Sequence, residues 1–536
     1  MTTVARVIGR QLQAAGVRYA MGHPGGEVID LLEGLRLEGL EVILTHHEAS
    51  AGFMADAIAS FDGTPAVCFA TLGPGATNLV TGVAQAFLDR SPVIALTGQM
   101  PMDRYENATH QKLDLGALFD PITKWHARVN AQNASAVIAR ALRVATSERP
   151  GPVYLEIPSD VARQEVVGGI GRLAETEPIA PRIDRARSLD PDQGRAAASL
   201  LRESTLPVVV AGLDAQAARA SAELRRLAER WQIPVIVTPK AKGLIPENHP
   251  LFLGVIDMLG MDRLFTYIEG RDLVIAAGLD PVELAHPWKA AGRLIHLGPL
   301  PNDDLFYASD AEIVSPVRDA IATLLDRAGE PRPKYDVQQV RAFRNNFWAY
   351  VNPSRPSLTP QEVIAELRLA LPRDAIATCD VGNNKSLAGQ CWPTYEPDTF
   401  AVSNGLSSMG YGLPAAIGLQ LRNPGRRVAC VLGDGGLTML LGEIETAVRL
   451  RLPILVVVLA DSALSQIKLG QERRGYPATA TTFGRIDYVA LGNVFGARGI
   501  EVRTRDECRK AFSQQPDGVP TIVAAHVDPS AYKLEL

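Results

Sequence analysis

Two stretches of this 536-residue chain repeat one pattern: an apolar run, a glycine-rich turn, a helical stretch, then a second apolar run opened by proline. In the first, AVCFAT leads into Leu72-Gly73-Pro74-Gly75, and Pro92 opens VIALTG. In the second, VACV leads into Leu432-Gly433-Asp434-Gly435, and Pro453 opens ILVVVLA. Short apolar runs bounded by turn signals read as buried strands, and strands alternating with helical patterns make parallel α/β sheets. A glycine turn between strand and helix leaves backbone N–H groups free to hold phosphate oxygens. The copies differ in chemistry, because Pro74 stands where the later copy has Asp434. Only the later copy can ligate a cation with that side chain, and Asp461, at the end of the next strand, would lie at a neighbouring strand end. Two such oxygen ligands suit magnesium bound to a diphosphate. The run LTMLLGEIETAVRL after the turn reads as one helix.

Length predicts more than one core. A hydrophobic content of 46% and a charged content of 21% are those of an ordinary globular protein, and a net charge of -5 without a basic block argues against nucleic acid. Cys68, Cys379, Cys391, Cys430 and Cys508 are scattered and lack CxxC spacing, so reduced core thiols are expected, not a zinc site or a disulfide framework. The longest apolar run, Pro453 to Ala460, is too short to cross a bilayer. The N-terminal MTTVARVIGRQLQAAGV reads as an amphipathic helix, and a cytoplasmic location is expected.

Three blocks of alternating strands and helices follow, giving an α/β chain of three doubly wound parallel-sheet domains. Their expected bounds are 1–165, 190–328 and 358–536. Polar linkers lie around Glu175 to Asp192 and at GEPRPKYD. The central block carries the strands LPVVVAG, PVIVTP, DLVIAAGL and RLIHLG. Related first and third blocks imply a ligand between two such domains.

Four segments, in order, resemble thiamine-diphosphate enzymes of the acetolactate synthase-like group. They are Gly22-His23-Pro24-Gly25-Gly26; THHEAS followed by ATLGPGATNLVTGVAQAFLD; SSMGYGLPAAIG; and the Asp434 turn with downstream Asp461. The resemblance covers nearly the whole chain. It implies a pyrimidine-binding first domain, a Rossmann-like central domain and a diphosphate- and Mg2+-binding third domain. It gives Glu48 the contact to the aminopyrimidine that activates the cofactor, and Met409 the apolar wedge beneath it. Gly25, Asn383, Asn384, Gly433, Gly435 and Gly436 would bind the cofactor. Asp434, Asp461 and the backbone carbonyl of Ala463 would hold the metal. Asp461 departs from the family's usual asparagine and adds a negative charge beside the diphosphate. A metal site built on His46-His47-Glu48 is the poorer reading, because adjacent strand residues face opposite ways.

Gln111 matches a glutamine that faces the reacting centre in acetolactate synthases, and His23 in the first glycine turn is a candidate substrate contact. Lys468, Arg473 and Arg474 would suit an anionic 2-oxo acid or acyl-CoA, or form a solvated charge cluster. Val210-Ala211-Gly212-Leu213 and Gly278-Leu279-Asp280-Pro281 lack the glycines and the Arg-Phe-Asp stretch of FAD-binding members, so FAD is not expected. The resemblance implies decarboxylation of a 2-oxo acid, with acyl transfer to a second carbonyl, in a homodimer or dimer of dimers. The alternatives are a 2-hydroxyacyl-CoA lyase, an oxalyl-CoA or aryl 2-oxo acid decarboxylase, and a non-catalytic nucleotide-binding or regulatory relative.

Overall fold

The computed structural model describes residues 2–166, 191–289, 292–302, 307–332, 334–335, 337–514 and 518–532. The stretch 175–190 of the first expected linker, positions 333 and 336 of the second, and the last four residues lie outside them. The described chain forms three six-stranded sheets, and every strand pairing in them is parallel. The first holds β1 (Tyr19–His23), β2 (Glu41–Leu44), β3 (Ala66–Ala70), β4 (Val93–Gln99), β5 (Trp125–Arg128) and β6 (Val153–Pro158). The second holds β7 (Pro207–Ala211), β8 (Val235–Val237), β9 (Phe252–Val255), β10 (Leu273–Ala277), β11 (Arg293–Gly298) and β12 (Ala311–Val314). The third holds β13 (Ile376–Cys379), β14 (Phe400–Val402), β15 (Val428–Gly433), β16 (Leu455–Ala460), β17 (Arg498–Val502) and β18 (Thr521–His526).

The sequence repeat is a repeat of topology. The first sheet runs β2-β1-β3-β4-β6-β5 and the third β14-β13-β15-β16-β18-β17, the same order. The copies of the turn follow β3 and β15, corresponding central strands. The middle sheet, β12-β11-β10-β7-β8-β9, is wound differently. Val, Ile, Leu and Ala dominate the central strands because helices cover both faces of a parallel sheet; β3, β4, β7 and β16 are buried at every position.

The chain divides into two compact units. One contains β1–β6 together with Gly405–Asn423 and Leu440–Leu450; the other contains β7–β18. In the first unit the Glu48–Asp62 helix is buried from Glu48 through Ala59. Small residues make that burial possible. A Cβ on Gly52 would lie 2.5 Å from Gly82 in the Pro74–Leu88 helix, and one on Gly418 would lie 2.9 Å from the Met54 carbonyl. The N-terminal helix forms as expected, over Val4–Ala14, with the Thr3 hydroxyl accepting from Arg6 N.

One expected element is different. LTMLLGEIETAVRL is not a single helix: one helix spans Asp434–Met439 and another Glu443–Arg449, with Gly442 at the break. A Cβ on Gly442 would stand 2.8 Å from His46 Cβ, so a close tertiary approach requires glycine here.

In the second unit one continuous apolar cluster joins residues of the middle and third sheets. A buried ion pair lies within it. Lys242 Nζ meets Glu247 and also donates to the carbonyls of Gly389 at 2.7 Å and Trp392 at 3.1 Å. All five cysteines are buried free thiols. No described helix is long and apolar enough to cross a membrane.

Candidate functional site

The residues singled out in the sequence fall into two groups, one in each unit. In the first unit β2 ends at Leu44, and the chain turns through Thr45, His46 and His47 into the helix that Glu48 begins. His47 caps this helix, its Nδ1 accepting from Ala49 N at 3.0 Å. Glu48 is 7% exposed, and its Oε2 accepts from Asn78 Nδ2 at 3.0 Å. A Cβ on Gly75 would come within 3.2 Å of Glu48 Oε1, so the glycine turn leaves room for this carboxylate. The adjacent histidines serve other partners. His46 Nε2 lies 2.8 Å from Glu445 Oε2. Among the described residues no group of three or more His, Cys, Asp or Glu side chains is placed to hold a metal ion.

His23 closes β1, with Nδ1–H donating to the Thr45 carbonyl at 2.8 Å; its ring is exposed. In the neutral ring that donation leaves Nε2 as the acceptor. Gly25 packs where a Cβ would meet Thr71 at 2.6 Å, and the Thr71 hydroxyl donates to Glu27 at 2.6 Å. Gln111 is exposed with a positive φ of 57°, and it lies over Gly73, whose Cβ would sit 3.0 Å from Gln111 Cβ. Met409 is half-buried, followed by Gly410 at φ 86°.

In the second unit β15, ending at Gly433, runs directly into a helix whose first residue is Asp434; Gly435 and Gly436 lie in its first turn, not in a separate loop. Asp434 is 1% exposed. Its Oδ2 accepts from Ser462 N at 2.6 Å and Asp461 N at 3.1 Å, and its Oδ1 from Gly435 N at 2.9 Å. Parallel pairing of β15 with β16 brings Asp461 beside it. Asp461 accepts from Ala463 N at 3.2 Å and from the Ser465 hydroxyl, and Tyr532 also hydrogen-bonds it. Burial pushes the Asp434 carboxyl up to about 6, and the neighbouring Asp461 charge pushes the same way. Burial likewise raises Asp461. Two buried acids whose ionisation burial disfavours form a site that a divalent cation relieves.

The Asn383–Cys391 helix follows β13. Asn384 Nδ2 turns inward to the Asp380 carbonyl at 2.5 Å. Asn383 Nδ2 is buried without a hydrogen-bond partner, an unused donor of the kind a phosphate oxygen would satisfy. Gly436 is required by Asp380, whose Oδ2 would lie 2.5 Å from a Cβ there. Gln466 Nε2 rests 3.6 Å from the Met258 sulfur, while Arg473 and Arg474 are exposed.

The middle sheet reverses its winding between β7 and β10, the place where open parallel sheets usually take a ligand. Glu283 fills it. This fully buried carboxyl accepts from Leu213 N at 2.8 Å and Asp280 N at 3.2 Å, and the Thr238 hydroxyl also donates to it. A Cβ on Gly212 would lie 2.4 Å from Glu283 Oε2.

Asn78, Ser465, Tyr532 and Glu283 escaped the sequence reading. Asn78 lies inside the quoted GPGATN segment, one turn from Pro74, and that spacing was the available signal.

Family models match the chain in three places. The thiamine pyrophosphate enzyme N-terminal TPP binding domain matches residues 2–118, the central domain 195–324, and the C-terminal TPP binding domain 380–525. The acetolactate synthase of Bacillus subtilis (strain 168) is 31% identical over 96% of this chain and 91% of its own length. The acetolactate synthase isozyme 1 large subunit of Escherichia coli (strain K12) is 32% identical over 96% and 91%. A probable acetolactate synthase large subunit of Methanocaldococcus jannaschii is 32% identical over 95% and 89%.

Proposed function

The chain belongs to the thiamine-diphosphate-dependent enzymes of the acetolactate synthase-like family, and on that premise we propose that it decarboxylates a 2-oxo acid and transfers the acyl unit to a second carbonyl. The observation that carries this reading is the buried carboxylate of Glu48, hydrogen-bonded at the head of its helix inside the segment matched to the N-terminal TPP binding domain. When bound, thiamine diphosphate supplies a nucleophilic carbon and an electron sink for loss of carbon dioxide. The protein's part is to bind, orient and move protons. Glu48 would hydrogen-bond the pyrimidine and hold or accept a proton there. Met409 would support the cofactor as an apolar wedge, and Gly25, Gly433, Gly435 and Gly436 would allow close approach.

Asp434, Asp461 and the Ala463 carbonyl would hold Mg2+, which would neutralise charge on the diphosphate. The carboxyls of Asp434 and Asp461, both raised by burial, fit that role, as does the unused Asn383 donor for a phosphate oxygen. Asn384 supports that turn from within through its bond to the Asp380 carbonyl. Gln111 and the free Nε2 of His23 face substrate. FAD does not fit the central sheet, because Glu283 already takes the Leu213 and Asp280 N–H groups that a nucleotide phosphate would need. We assign 1–165 to pyrimidine binding, 190–328 to the central domain and 358–536 to diphosphate and magnesium. A homodimer or dimer of dimers is the active form.

The test is carbon dioxide release from a panel of 2-oxo acids, pyruvate first, with magnesium and thiamine diphosphate and without FAD, products being identified. Acetolactate from pyruvate supports the reading. Binding of the cofactor without release from any 2-oxo acid overturns it.

A further inference from the structure

Glu48 is the first residue of its helix, so the direction of its carboxylate depends on how the preceding turn is held. That turn is gripped from one side by the short Glu443–Arg449 helix. Glu443 is fully buried, and its Oε1 accepts from the backbone N–H groups of both His46, at 3.0 Å, and His47, at 3.2 Å. Its Oε2 accepts from the Thr446 hydroxyl at 2.8 Å, which fixes the rotation of the carboxylate. The same helix holds the turn twice more. Arg449 Nη2 donates to the Leu44 carbonyl at 2.8 Å, and Glu445 meets the His46 ring at 2.8 Å. Gly442 admits this approach, since a Cβ there would stand 2.8 Å from His46 Cβ.

A carboxylate that accepts from consecutive backbone N–H groups behaves as an anionic cap, and it fixes the peptide planes on either side. Here those planes lead directly into Glu48. We propose that Glu443 is a positioning residue for Glu48: it sets the turn from which the activating carboxylate is presented. This rests on the role given to Glu48 above. In the sequence Glu443 follows Asp434 by nine positions, so the segment that carries a metal ligand also carries the brace for the activating acid.

The experiment compares the full-length wild type with Glu443→Ala, Glu443→Gln and Thr446→Val, and with Glu48→Gln as the reference. Amide hydrogen exchange of the peptide covering residues 44–50 is measured first, in protein free of cofactor. Glu443→Ala should speed exchange at His46 and His47 by about 10-fold or more, whereas Glu443→Gln, which keeps the Oε1 acceptor, stays near wild type. Deuterium exchange at C2 of thiamine diphosphate bound with magnesium is measured next. Glu443→Ala should slow it by about 10- to 100-fold with the dissociation constant of the cofactor nearly unchanged, the effect of a misdirected group. Glu443→Gln should restore most of the rate, and Thr446→Val should fall between.

Unchanged amide exchange in Glu443→Ala, or Glu443→Gln as impaired as Glu443→Ala, overturns the proposal. If Glu443→Ala does not fold, Glu443→Gln and Thr446→Val decide it: a slow Glu443→Gln, or a Thr446→Val with wild-type exchange at both positions, refutes the brace. Retained C2 exchange in Glu48→Gln would instead sink the role of Glu48. Loss there with normal Glu443→Ala would sink only the positioning role.

Discussion

Asn78 Nδ2 donates to Glu48 Oε2 at 3.0 Å, so the carboxylate assigned to cofactor activation is tethered by a residue of the Pro74–Leu88 helix. Asn78→Ala removes one neutral donor to a charged acceptor, an interaction of about 1.5–3 kcal/mol. The expected result is a kcat lower by roughly 10-fold or more, with little change in cofactor affinity. Asn78→Asp sets a like charge against Glu48 and should be slower still. Steady-state carbon dioxide release reads both, and an aspartate variant faster than the alanine variant would contradict the tether.

Glu48→Gln keeps the shape of the side chain and removes its basicity. General acid–base groups contribute about 10²–10⁴-fold, so turnover should fall by that order while thiamine diphosphate still binds. Turnover near wild type would remove Glu48 from the role of activating acid.

The repeat was legible because it is written locally: strand, glycine turn, helix and proline-opened strand all lie within about forty residues in each copy. Its prediction of related first and third sheets matches their common strand order. In the central block four apolar runs mark β7, β8, β10 and β11, but β9 and β12 are four residues each and carry Gly254 and Glu312, too little pattern to stand out. What sequence cannot express is the long-range partner. Glu443 bonds to His46 and His47 almost 400 positions earlier, and Glu283 closes on Leu213 seventy positions away. Gly442 belongs to the same class, because only the approach of His46 shows why no side chain fits there.

The metal-free protein should show the raised Asp434 carboxyl. Its value of about 6 lies above the ordinary carboxylate value, so the fold favours the protonated form. The stabilisation it contributes is complete below about pH 4 and is lost as pH rises through about 6. Magnesium needs the ionised form, so magnesium-dependent binding of thiamine diphosphate should weaken as pH falls below about 6. Asp461→Asn removes the neighbouring charge and should move that midpoint down, while Asp434→Ala should abolish the magnesium dependence. Fluorescence titration between pH 5 and 8 checks this; a midpoint unmoved by Asp461→Asn would show that burial alone sets the shift.

Lys242 and Glu247 have side chains 0% and 3% exposed, so breaking the pair leaves an uncompensated buried charge. Either Lys242→Met or Glu247→Leu alone should cost about 3–5 kcal/mol, and the double variant should recover most of the loss. Denaturant unfolding followed through its midpoint measures the coupling. Additive losses in the double variant would show that the pair acts through packing and not through charge.

Glu283 gives the cleanest separation of charge from shape. Burial pushes its carboxyl up to about 8, and the negative charge of Asp280 adds to the shift, against the three hydrogen bonds it accepts. Below that pH the neutral acid keeps every contact, with Oε2 accepting from Leu213 and Asp280 and the acid hydroxyl turned to Thr238. The unfolded chain ionises in the ordinary carboxylate range, so the stabilisation is complete below about pH 4.3 and drains away as pH rises to about 8. Glu283→Gln copies the neutral acid: its carbonyl accepts the same N–H groups and its amide donates to Thr238. It should therefore match wild-type stability below about pH 4 and exceed it increasingly up to about pH 8, where the difference levels off. Glu283→Ala empties the same space and leaves the Leu213 and Asp280 N–H groups unpaired, each at about 1–3 kcal/mol. That variant should be destabilised at every pH, and millimolar inorganic phosphate should raise its Tm but not that of the wild type. A wild-type chain that takes up FAD or ADP as tightly as Glu283→Ala would show that Glu283 does not occupy the nucleotide position.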